Sequence, residues 1–448
     1  MMMRKWPRVA VKDVCSLIVD CVNRTAPIVE HDTPYRMIRT TNVKEGRIDL
    51  SSCRRVDERT YERWTRRAKL LDGDVILTRE APIGEVGYVS GLGPVFLGQR
   101  LMQYRPDPKK VVPRYLYYAF RSTDLQHQFG SHEGSGSVVS HIRVADCHEF
   151  KVSLPPIRQQ ELVVDLLGSI DDKIELNRRM NDTLEAMAQA IFRDWFVDFG
   201  PTRRKIEGAS DPAEIMGRLV TDPKRLRQRA DLFPAALGDD GLPATWNRRS
   251  LLTEAQLVSG GTPKTTESGY WGGAIKWASA KDVSQCASSF LLDTERTITD
   301  LGLRKSAAKI VPRFATVLVA RGATTGRYCM FGDSFAMNQT CYGLVSRRSA
   351  PFFLNQAFGA LVESLVQAAH GSVFDTVTTK TLEMATVVDP GEAPRVAYEA
   401  LAGPLIMKVL ENLRESKTLV ATRDLLLPKL MSGEITIRDA EQRLEAAQ

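Results

Sequence analysis

An internal repeat is the feature that most constrains the fold of this chain, because residues of the first half recur in the second. Early pairs lie 240 residues apart and later pairs lie 235 apart, a drift that loop insertions and deletions would produce. The matching pairs are Trp6 and Trp246, Val43 and Val283, Gln99 and Gln339, Lys173 and Lys408, Asn177 and Asn412, and Leu184 and Leu419. Two copies of one fold predict a pseudo-symmetric molecule whose partner carries two similarly spaced sites.

Length and charge narrow the class of partner. The 448 residues suffice for about three domains of ordinary size, and the net charge of +7 favours an acidic partner. Double-stranded DNA is acidic and offers two spaced sites. No stretch resembles a signal peptide or a membrane span, which predicts a cytoplasmic protein without a membrane partner. The seven cysteines form no C-x-x-C pair and are expected to be reduced, packed thiols.

The pattern of strands, turns and helices predicts a mixed α/β fold of two duplicated globules and two long helices. Short β-rich runs separated by turns characterise both globules. We predict a first globule at 1–155, a helix at 156–199, a linker with one or two short helices at 200–241, a second globule at 242–389, a second helix at 390–433, and a short exposed helical tail at 434–448.

The two predicted helices each carry an apolar seam with the alternating steps of four and three residues typical of coiled coils. The seam of the first helix includes Ile170, Ile174, Asn177, Asn181, Leu184 and Ile191. The equivalent residues of the second helix are Leu405, Val409, Asn412, Ser416, Leu419 and Leu426, and Arg423 is the charged exception. Gly403-Pro404 is predicted to break the second helix and restart it.

The two seams are expected to bury each other as an antiparallel coiled coil, because an apolar stripe on a solvated helix is unfavourable. Antiparallel pairing places Asn181 opposite Asn412 and Asn177 opposite Ser416. An overlap of about 27 residues is roughly 40 Å long, close to one turn of B-DNA. The alternative is that each helix belongs only to the core of its own globule.

Few motifs point to catalysis. Asp32-Thr33-Pro34-Tyr35 resembles the loop with which amino-methyltransferases hold a flipped base, but its second position differs. Gly91-Leu92-Gly93 leads into Pro94 and a strand, not into the helix that a methyl-donor site requires. His132, His141, Cys147 and His148 fit no common zinc spacing. The sequence therefore predicts no catalytic residues, no metal and no cofactor.

Polar residues at strand ends are the candidate DNA-binding residues. Arg and Lys suit phosphates and guanine edges, and Asn and Gln suit adenine. Gly260-Gly261-Thr262-Pro263 lacks the glycine pattern of a phosphate loop, yet the residues after it remain candidates for phosphate contact. The candidates are Arg39, Thr40, Thr41, Asn42 and Arg79 in the first half and Lys264, Thr265, Ser279, Lys281 and Arg321 in the second. Arg79 and Arg321 each precede a glycine turn with a shared offset of 242. The alternative is that repeated residues only shape turns.

Three groups of segments carry a family resemblance. They are Leu154–Gln160 with Asp171–Asn177 and Trp195–Phe199, then Leu257–Pro263 with Tyr270–Gly273 and Ile275–Trp277, and Leu425–Gly433. Together they resemble the specificity subunit of type I restriction-modification systems over nearly the whole chain. The match departs at Asp389–Glu392, which replaces the Leu-Pro-Pro and Gln of the first half.

The resemblance implies two target-recognition domains, 1–155 and 242–389, that each read one half of a bipartite DNA site. The helices would set the spacing and dock two modification subunits, and catalysis would belong to other subunits of the complex. Whether restriction subunits also bind stays open. The alternatives are a stand-alone adenine-N6 DNA methyltransferase that uses Asp32–Tyr35 and a coiled-coil scaffold without sequence preference.

Overall fold

The computed structural model describes residues 6–132, 141–217, 223–368 and 376–445 and divides the chain into two compact units. Unit 1 comprises Met1–Glu175 and Ser416–Gln448, and unit 2 comprises Leu176–Glu415. The first long helix spans Ile157–Phe196 and the second long helix spans Glu392–Ser432. Each unit therefore contains one globule and a segment of each long helix. No helix among the described residues has the length and apolar character needed to cross a bilayer.

Unit 1 is built on a four-stranded antiparallel sheet and a smaller three-stranded sheet. The larger sheet has the order Cys15–Asp20, Leu101–Pro106, Val75–Arg79 and Ile83–Tyr88. The smaller has the order Arg54–Arg55, Arg36–Ile38 and Val95–Leu97, with the last two strands parallel. Two further pairs are Arg8–Ala10 with Lys151–Ser153 and Val43–Lys44 with Arg47–Ile48. The helices are Val11–Val14, Glu58–Trp64, Pro113–Arg121, Thr123–Gly130, Asp146–Glu149 and Ile437–Glu445.

The core of unit 1 follows from strand periodicity, since successive side chains point to opposite faces of a sheet. Val75 and Leu77 face the helix Pro113–Arg121, while Ile76 lies between them in a separate cluster on the other face. That helix buries a continuous run from Tyr115 to Phe120. Burying apolar area on both faces of the sheet fixes the strand register, because a one-residue slip would expose the whole set.

Unit 2 repeats this arrangement with one more strand, Phe290–Leu291, at the edge of its larger sheet. Its larger sheet has the order Ala255–Ser259, Cys341–Ser346, Thr316–Val319, Tyr328–Phe331 and Phe290–Leu291. Its smaller sheet has the order Arg296–Ile298, Trp271–Ala278 and Ala336–Met337, and Asn247–Ser250 pairs with Thr386–Asp389. The helices are Gly200–Ile206, Pro212–Ile215, Pro223–Ala230, Leu251–Glu254, Ala280–Gln285, Asp300–Arg304, Pro351–Ala368 and Thr379–Met384. The predicted fold class, a duplicated mixed α/β fold with two long helices, is confirmed.

The long helices run antiparallel within each unit. In unit 1, Leu167 shares a core cluster with Leu426. In unit 2, Asn412 Nδ2 donates to Asn181 Oδ1 at 2.9 Å, in the register that the sequence predicts. Asn177 Nδ2 donates to a carboxylate oxygen of Glu415 at 2.8 Å. The named seam residues are all buried or half-buried: Ile170, Ile174, Asn177, Asn181, Leu184, Ile191, Leu405, Val409, Asn412, Ser416, Leu419 and Leu426.

The predicted helix break at Gly403-Pro404 is wrong, because the second long helix continues through it. Proline removes one backbone hydrogen bond, which would have joined its nitrogen to the carbonyl of Ala400. Ala400 and Pro404 are both exposed, so water can satisfy that carbonyl. Gly403 lies on the buried face and approaches the ring of Phe352. Packing on that face keeps the helix continuous.

Two other sequence predictions differ from the structure. The described part of 200–241 contains three short helices, and Ile215, Leu226 and Phe233 belong to the main core of unit 2. This segment is therefore a folded part of unit 2 rather than a linker. The helix Ile437–Glu445 is not simply exposed, because Ala440 is 0% exposed in the core of unit 1. Both segments carry enough apolar residues to pack against a core. Their glycine and proline residues suggest turns and do not reveal this packing.

Candidate nucleic-acid interface

In unit 1, the chain turns sharply after the strand Arg36–Ile38. A single 3-10 turn, Thr40–Asn42, follows, and Asn42 Oδ1 accepts from the backbone nitrogen of Arg39 at 2.9 Å. Asn42 is only 1% exposed, and its Nδ2 donates to Ser52 Oγ at 2.8 Å. The structure therefore places Asn42 inside the turn, which removes it from the residues able to reach a base. Thr41 is exposed, and Arg39 and Thr40 are partly exposed.

Unit 2 has the equivalent turn after the strand Trp271–Ala278. Ser279 begins the helix Ala280–Gln285, and its backbone nitrogen donates to Asp282 Oδ2 at 2.8 Å. Lys281 is exposed on this helix and lies 2.7 Å from a carboxylate oxygen of Glu295. The hydrogen bond to Glu295 raises the pKa of Lys281. A DNA phosphate would compete with Glu295 for this ammonium group.

Arg79 and Arg321 are not structurally equivalent, although the sequence predicts a shared offset. The nitrogen of Ile142 donates to the carbonyl of Arg79 at 3.0 Å, and Val377 donates in the same way to Ala320 at 2.8 Å. Arg79 therefore corresponds to Ala320, one residue before Arg321. A shift of one residue reverses the face of a strand. Accordingly, Arg79 Nη1 donates inward to the carbonyl of Ile142 at 3.0 Å, while Arg321 is exposed.

One loop in each unit joins these turns to the central strands. In unit 1, Gly98 donates to the carbonyl of Ile38 at 2.7 Å, and Arg79 donates to the carbonyl of Arg100 at 2.8 Å. In unit 2, the matching bonds run from Asn338 to Ala278 at 2.9 Å and from Ala320 to Thr340 at 2.8 Å. We call Gly98-Gln99-Arg100 and Asn338-Gln339-Thr340 the apex loops. Each has a glutamine at its centre.

The segment Gly260–Thr265 lies against the apex loop of unit 2. A Cβ atom at Gly260 would lie 1.9 Å from the carbonyl oxygen of Asn338, so only glycine permits this backbone approach. The Thr262 hydroxyl donates to Gln339 Oε1. Lys264 and Thr265 follow on the exposed side of the turn. One polar rim of unit 2 is thus formed by the turn Gly260–Thr265, the apex loop and the helix Ala280–Gln285. We use the word rim for these residues and for the equivalent turn and apex loop of unit 1.

The methyltransferase-like segment Asp32–Tyr35 is a packed turn. The ring of Tyr35 stacks on Tyr61 with centroids 4.8 Å apart, and its hydroxyl donates to Glu58 at 2.8 Å. The Thr33 hydroxyl donates to the carbonyl of Val56 at 2.8 Å. Asp32 pairs with Arg55. Both the aromatic ring and the carboxylate therefore have partners within unit 1.

Within the described ranges, no group of three or more His, Cys, Asp or Glu side chains could hold a metal ion. His132 Nδ1 instead lies 3.6 Å from a carboxylate oxygen of Asp146. Sequence reasoning overlooked a basic segment of unit 1 around the helix Glu58–Trp64. Its exposed members are Arg54, Arg59, Arg63, Arg66, Arg67 and Lys69. Arginine density over residues 54–69 is the signal that could have found it.

Comparison with known proteins supports the resemblance seen in the sequence. Residues 3–186 match the model of the type I restriction modification DNA specificity domain. The match confirms the resemblance to type I restriction-modification specificity subunits that the sequence predicts. It is similar to the type I restriction enzyme HindI specificity subunit of Haemophilus influenzae, with 25% identity over 81% of this chain and 86% of that protein.

Two further relatives extend the comparison. The type I restriction enzyme MjaIX specificity subunit of Methanocaldococcus jannaschii is 21% identical over 82% of this chain and 78% of that protein. The crystal structure of the type I restriction-modification S subunit from M. genitalium aligns with a TM-score of 0.57 and 13% identity, covering 96% of this chain and 97% of that one. That specificity subunit therefore shares the fold of this one.

Proposed function

We propose that this chain is the non-catalytic DNA-specificity subunit of a type I restriction-modification complex. Each target-recognition domain, 1–155 or 242–389, reads one half of a bipartite DNA site. The observation that carries this proposal is that both units have the same sheet arrangement and an apex loop held by equivalent backbone hydrogen bonds. A chain that presents the same polar loop twice suits a DNA site made of two separated halves.

Phosphate contacts supply much of the binding energy in this proposal, and rim side chains read bases. The exposed basic residues Arg59 and Arg66 in unit 1 and Lys264 and Arg321 in unit 2 support it. Each neutralised phosphate should lower the logarithm of affinity by roughly 0.9 per tenfold increase in salt concentration. Arg39, Thr40, Thr41, Thr265, Ser279 and Lys281 remain proposed contacts on the same rims, whereas Asn42 and Arg79 act within the turns.

The long helices set the spacing between half-sites in this proposal and dock two modification subunits. Their length of 40 and 41 residues supports a spacing role. Met187 is 47% exposed on the first long helix, so an apolar surface remains for a partner. A restriction subunit would join the same complex where DNA is cleaved.

A domain exchange tests the proposal. Residues 1–150 are replaced by those of another family member, while Arg114, Tyr118 and Arg121 are kept because they contact the first long helix. The assembled complex should then prefer DNA altered in one half-site only, as measured by sequencing the DNA it selects from a random duplex library. A change in both halves would contradict the modular division. Exchange of residues 242–389 is the matched control and should alter the other half.

A further inference from the structure

The two apex loops have the same residue at the same place, Gln99 in unit 1 and Gln339 in unit 2. Each loop is fastened at both ends by the equivalent backbone hydrogen bonds described above. Gln339 is exposed and Gln99 is partly exposed. Each amide group is thus presented from a backbone of fixed geometry, which is the condition for selective recognition.

Neither loop needs glutamine for its own shape. In unit 2, Asn338 Oδ1 closes the turn by accepting from the Thr340 nitrogen at 3.1 Å and from the Thr340 hydroxyl at 2.8 Å. In unit 1, the equivalent of Asn338 is Gly98, and Arg100 closes the turn with a positive φ of 71°. The loop of unit 2 is closed by side-chain hydrogen bonds and that of unit 1 by a residue with positive φ, yet both have glutamine at the apex.

The glutamine side chains also contribute little to the interior. Gln99 makes no side-chain hydrogen bond to any residue that the structure describes. Gln339 accepts from the Thr262 hydroxyl through Oε1, which orients its amide and leaves Nε2 and a second Oε1 lone pair exposed. A repeated residue that neither closes its own loop nor fills the core points to a partner outside the chain.

A primary amide matches one base in particular. The major-groove edge of adenine offers the N7 acceptor beside the N6 donor, and a glutamine side chain can bind both. We propose that Gln99 and Gln339 are matched base-reading residues, each contacting an adenine in its own half-site. This inference rests on the proposed function and adds the residue and base class that each recognition domain uses.

The test compares the full-length chain with its Gln99→Ala and Gln339→Ala variants, each assembled with its modification subunits. The complexes select DNA from a randomised duplex library, and the bound fraction is sequenced. Each variant should lose preference for adenine by roughly 5- to 150-fold at one position of one half-site. The other half-site should stay unchanged. Gln228→Ala and Gln442→Ala, at exposed positions on other helices, are matched controls and should leave both half-sites intact.

Isosteric variants keep the test decisive if an alanine variant fails to fold. Gln99→Glu and Gln339→Glu retain an acceptor but lose the donor that adenine N7 requires, so they should also lose the preference for adenine. An unchanged motif, or uniformly weaker binding to all sequences, would overturn the inference while leaving the proposed function intact. Failure of the unmodified chain to select any bipartite motif would instead overturn the proposed function.

Discussion

The contact between globule and long helices differs between the two units, although the larger sheets of both units share the order of four strands. In unit 1, Arg423 Nη1 lies 2.8 Å from Asp171 Oδ1, and the Tyr118 hydroxyl donates to Asp171 Oδ2 at 2.8 Å. The equivalent pair in unit 2 is Ala188 and Ile406, both buried. The same position is therefore an ion pair in one copy and an apolar contact in the other.

Aromatic packing takes the place of the ion pair in unit 2. The rings of Phe196 and Phe353 have centroids 5.1 Å apart, and Phe192 and Tyr398 have centroids 5.6 Å apart. The Tyr398 hydroxyl donates to the carbonyl of Ala188 at 3.1 Å. Unit 1 also has apolar contacts along the helices, where Val163, Leu167 and Leu426 share its core cluster. The two units therefore share apolar packing against the helices and differ in that only unit 1 adds a largely buried ion pair at this position.

The starts of the two long helices also differ in charge, but here the charged contact is in unit 2 and the neutral one is in unit 1. Gln160 of the first helix is a buried neutral amide that accepts from the nitrogen of Val112 at 2.8 Å. Its equivalent in the second helix is Arg395, which lies 2.5 Å from Asp389 Oδ1 and 3.5 Å from Glu254 Oε2. We call the contact between the start of each long helix and its globule a joint. The departure from the family sequence at Asp389–Glu392 thus coincides with a change from a neutral joint in unit 1 to a charged joint in unit 2.

The largest predicted effect is at this charged joint. Arg395→Met removes the cation between Asp389 and Glu254, whose side chains are 6% and 5% exposed. Arg249 still lies 2.9 Å from Asp389, and Arg348 lies 3.9 Å from Glu254, so each carboxylate keeps one more distant or more exposed cation. We expect unfolding free energy to fall by about 3–5 kcal/mol, because the two buried carboxylates lose the buried cation that lies between them. Urea unfolding measures the change, and hydrogen exchange should locate it in unit 2.

Gln160→Met is the matched control at the equivalent position of unit 1. It removes hydrogen bonds to Val112 and to the carbonyl of Pro155 but leaves no charge unpaired. The expected cost is smaller, about 1–3 kcal/mol. Equal costs for the two variants would show that charge does not distinguish the two joints.

The next effect is a pH dependence confined to unit 2. Burial raises the pKa of Glu399 to about 7, although its carboxylate accepts from the nitrogen of Phe353 at 2.7 Å. The folded state therefore prefers the protonated acid, so the contribution of Glu399 to stability is greatest below pH 4.5 and is lost as pH rises through 7. The decline should be about 3 kcal/mol and absent in Glu399→Gln. Urea unfolding at several pH values measures it.

Unit 1 supplies the control for this pH dependence. The residue equivalent to Glu399 is Val164, and the amide of Gln160 accepts from the backbone before the corresponding helix. Hydrogen exchange over the same pH range should therefore show loss of protection in unit 2 alone. A parallel loss in unit 1 would mean that other groups control the transition.

A smaller effect is expected at the ion pair of unit 1. Arg423→Ala leaves Asp171, but the Tyr118 hydroxyl still donates to this carboxylate, so the cost should be about 1–3 kcal/mol. Adding Asp171→Ile reproduces the pair found in unit 2 and should recover most of the loss. Thermal unfolding of the single and double variants gives both values. No recovery in the double variant would show that the two joints are not interchangeable.

Much of the fold could be predicted from the sequence, because repetition and heptad spacing are properties of side-chain order. The presence of two similar globules and the contact between Asn181 and Asn412 follow from those two patterns. The continuity through Gly403-Pro404 could not be predicted, because it depends on Pro404 being exposed while Gly403 packs against Phe352. Local propensity does not contain that tertiary information.

The candidate site was less predictable. Asn42 and Arg79 have side chains suited to DNA, but their direction depends on a turn and on strand register. A one-residue difference in the offset was enough to equate Arg79 with Arg321 instead of Ala320. Gln99 and Gln339 were visible as a repeat, and only the loop geometry shows that neither side chain closes its own loop.

The smallest predicted effect concerns the amide pair Asn181 and Asn412 in the seam between the long helices. Asn181→Leu places an apolar side chain against the amide of Asn412, which loses the hydrogen bond measured at 2.9 Å. We expect a loss of about 1 kcal/mol, because a buried amide is left without its partner. Leucine at both positions should restore or exceed the original stability, since a buried polar pair trades stability for register. A double-mutant cycle gives the coupling energy. If the double variant kept one helix register as strictly as the natural pair, measured by crosslinking cysteines introduced along the two helices, the amides would not be what fixes it.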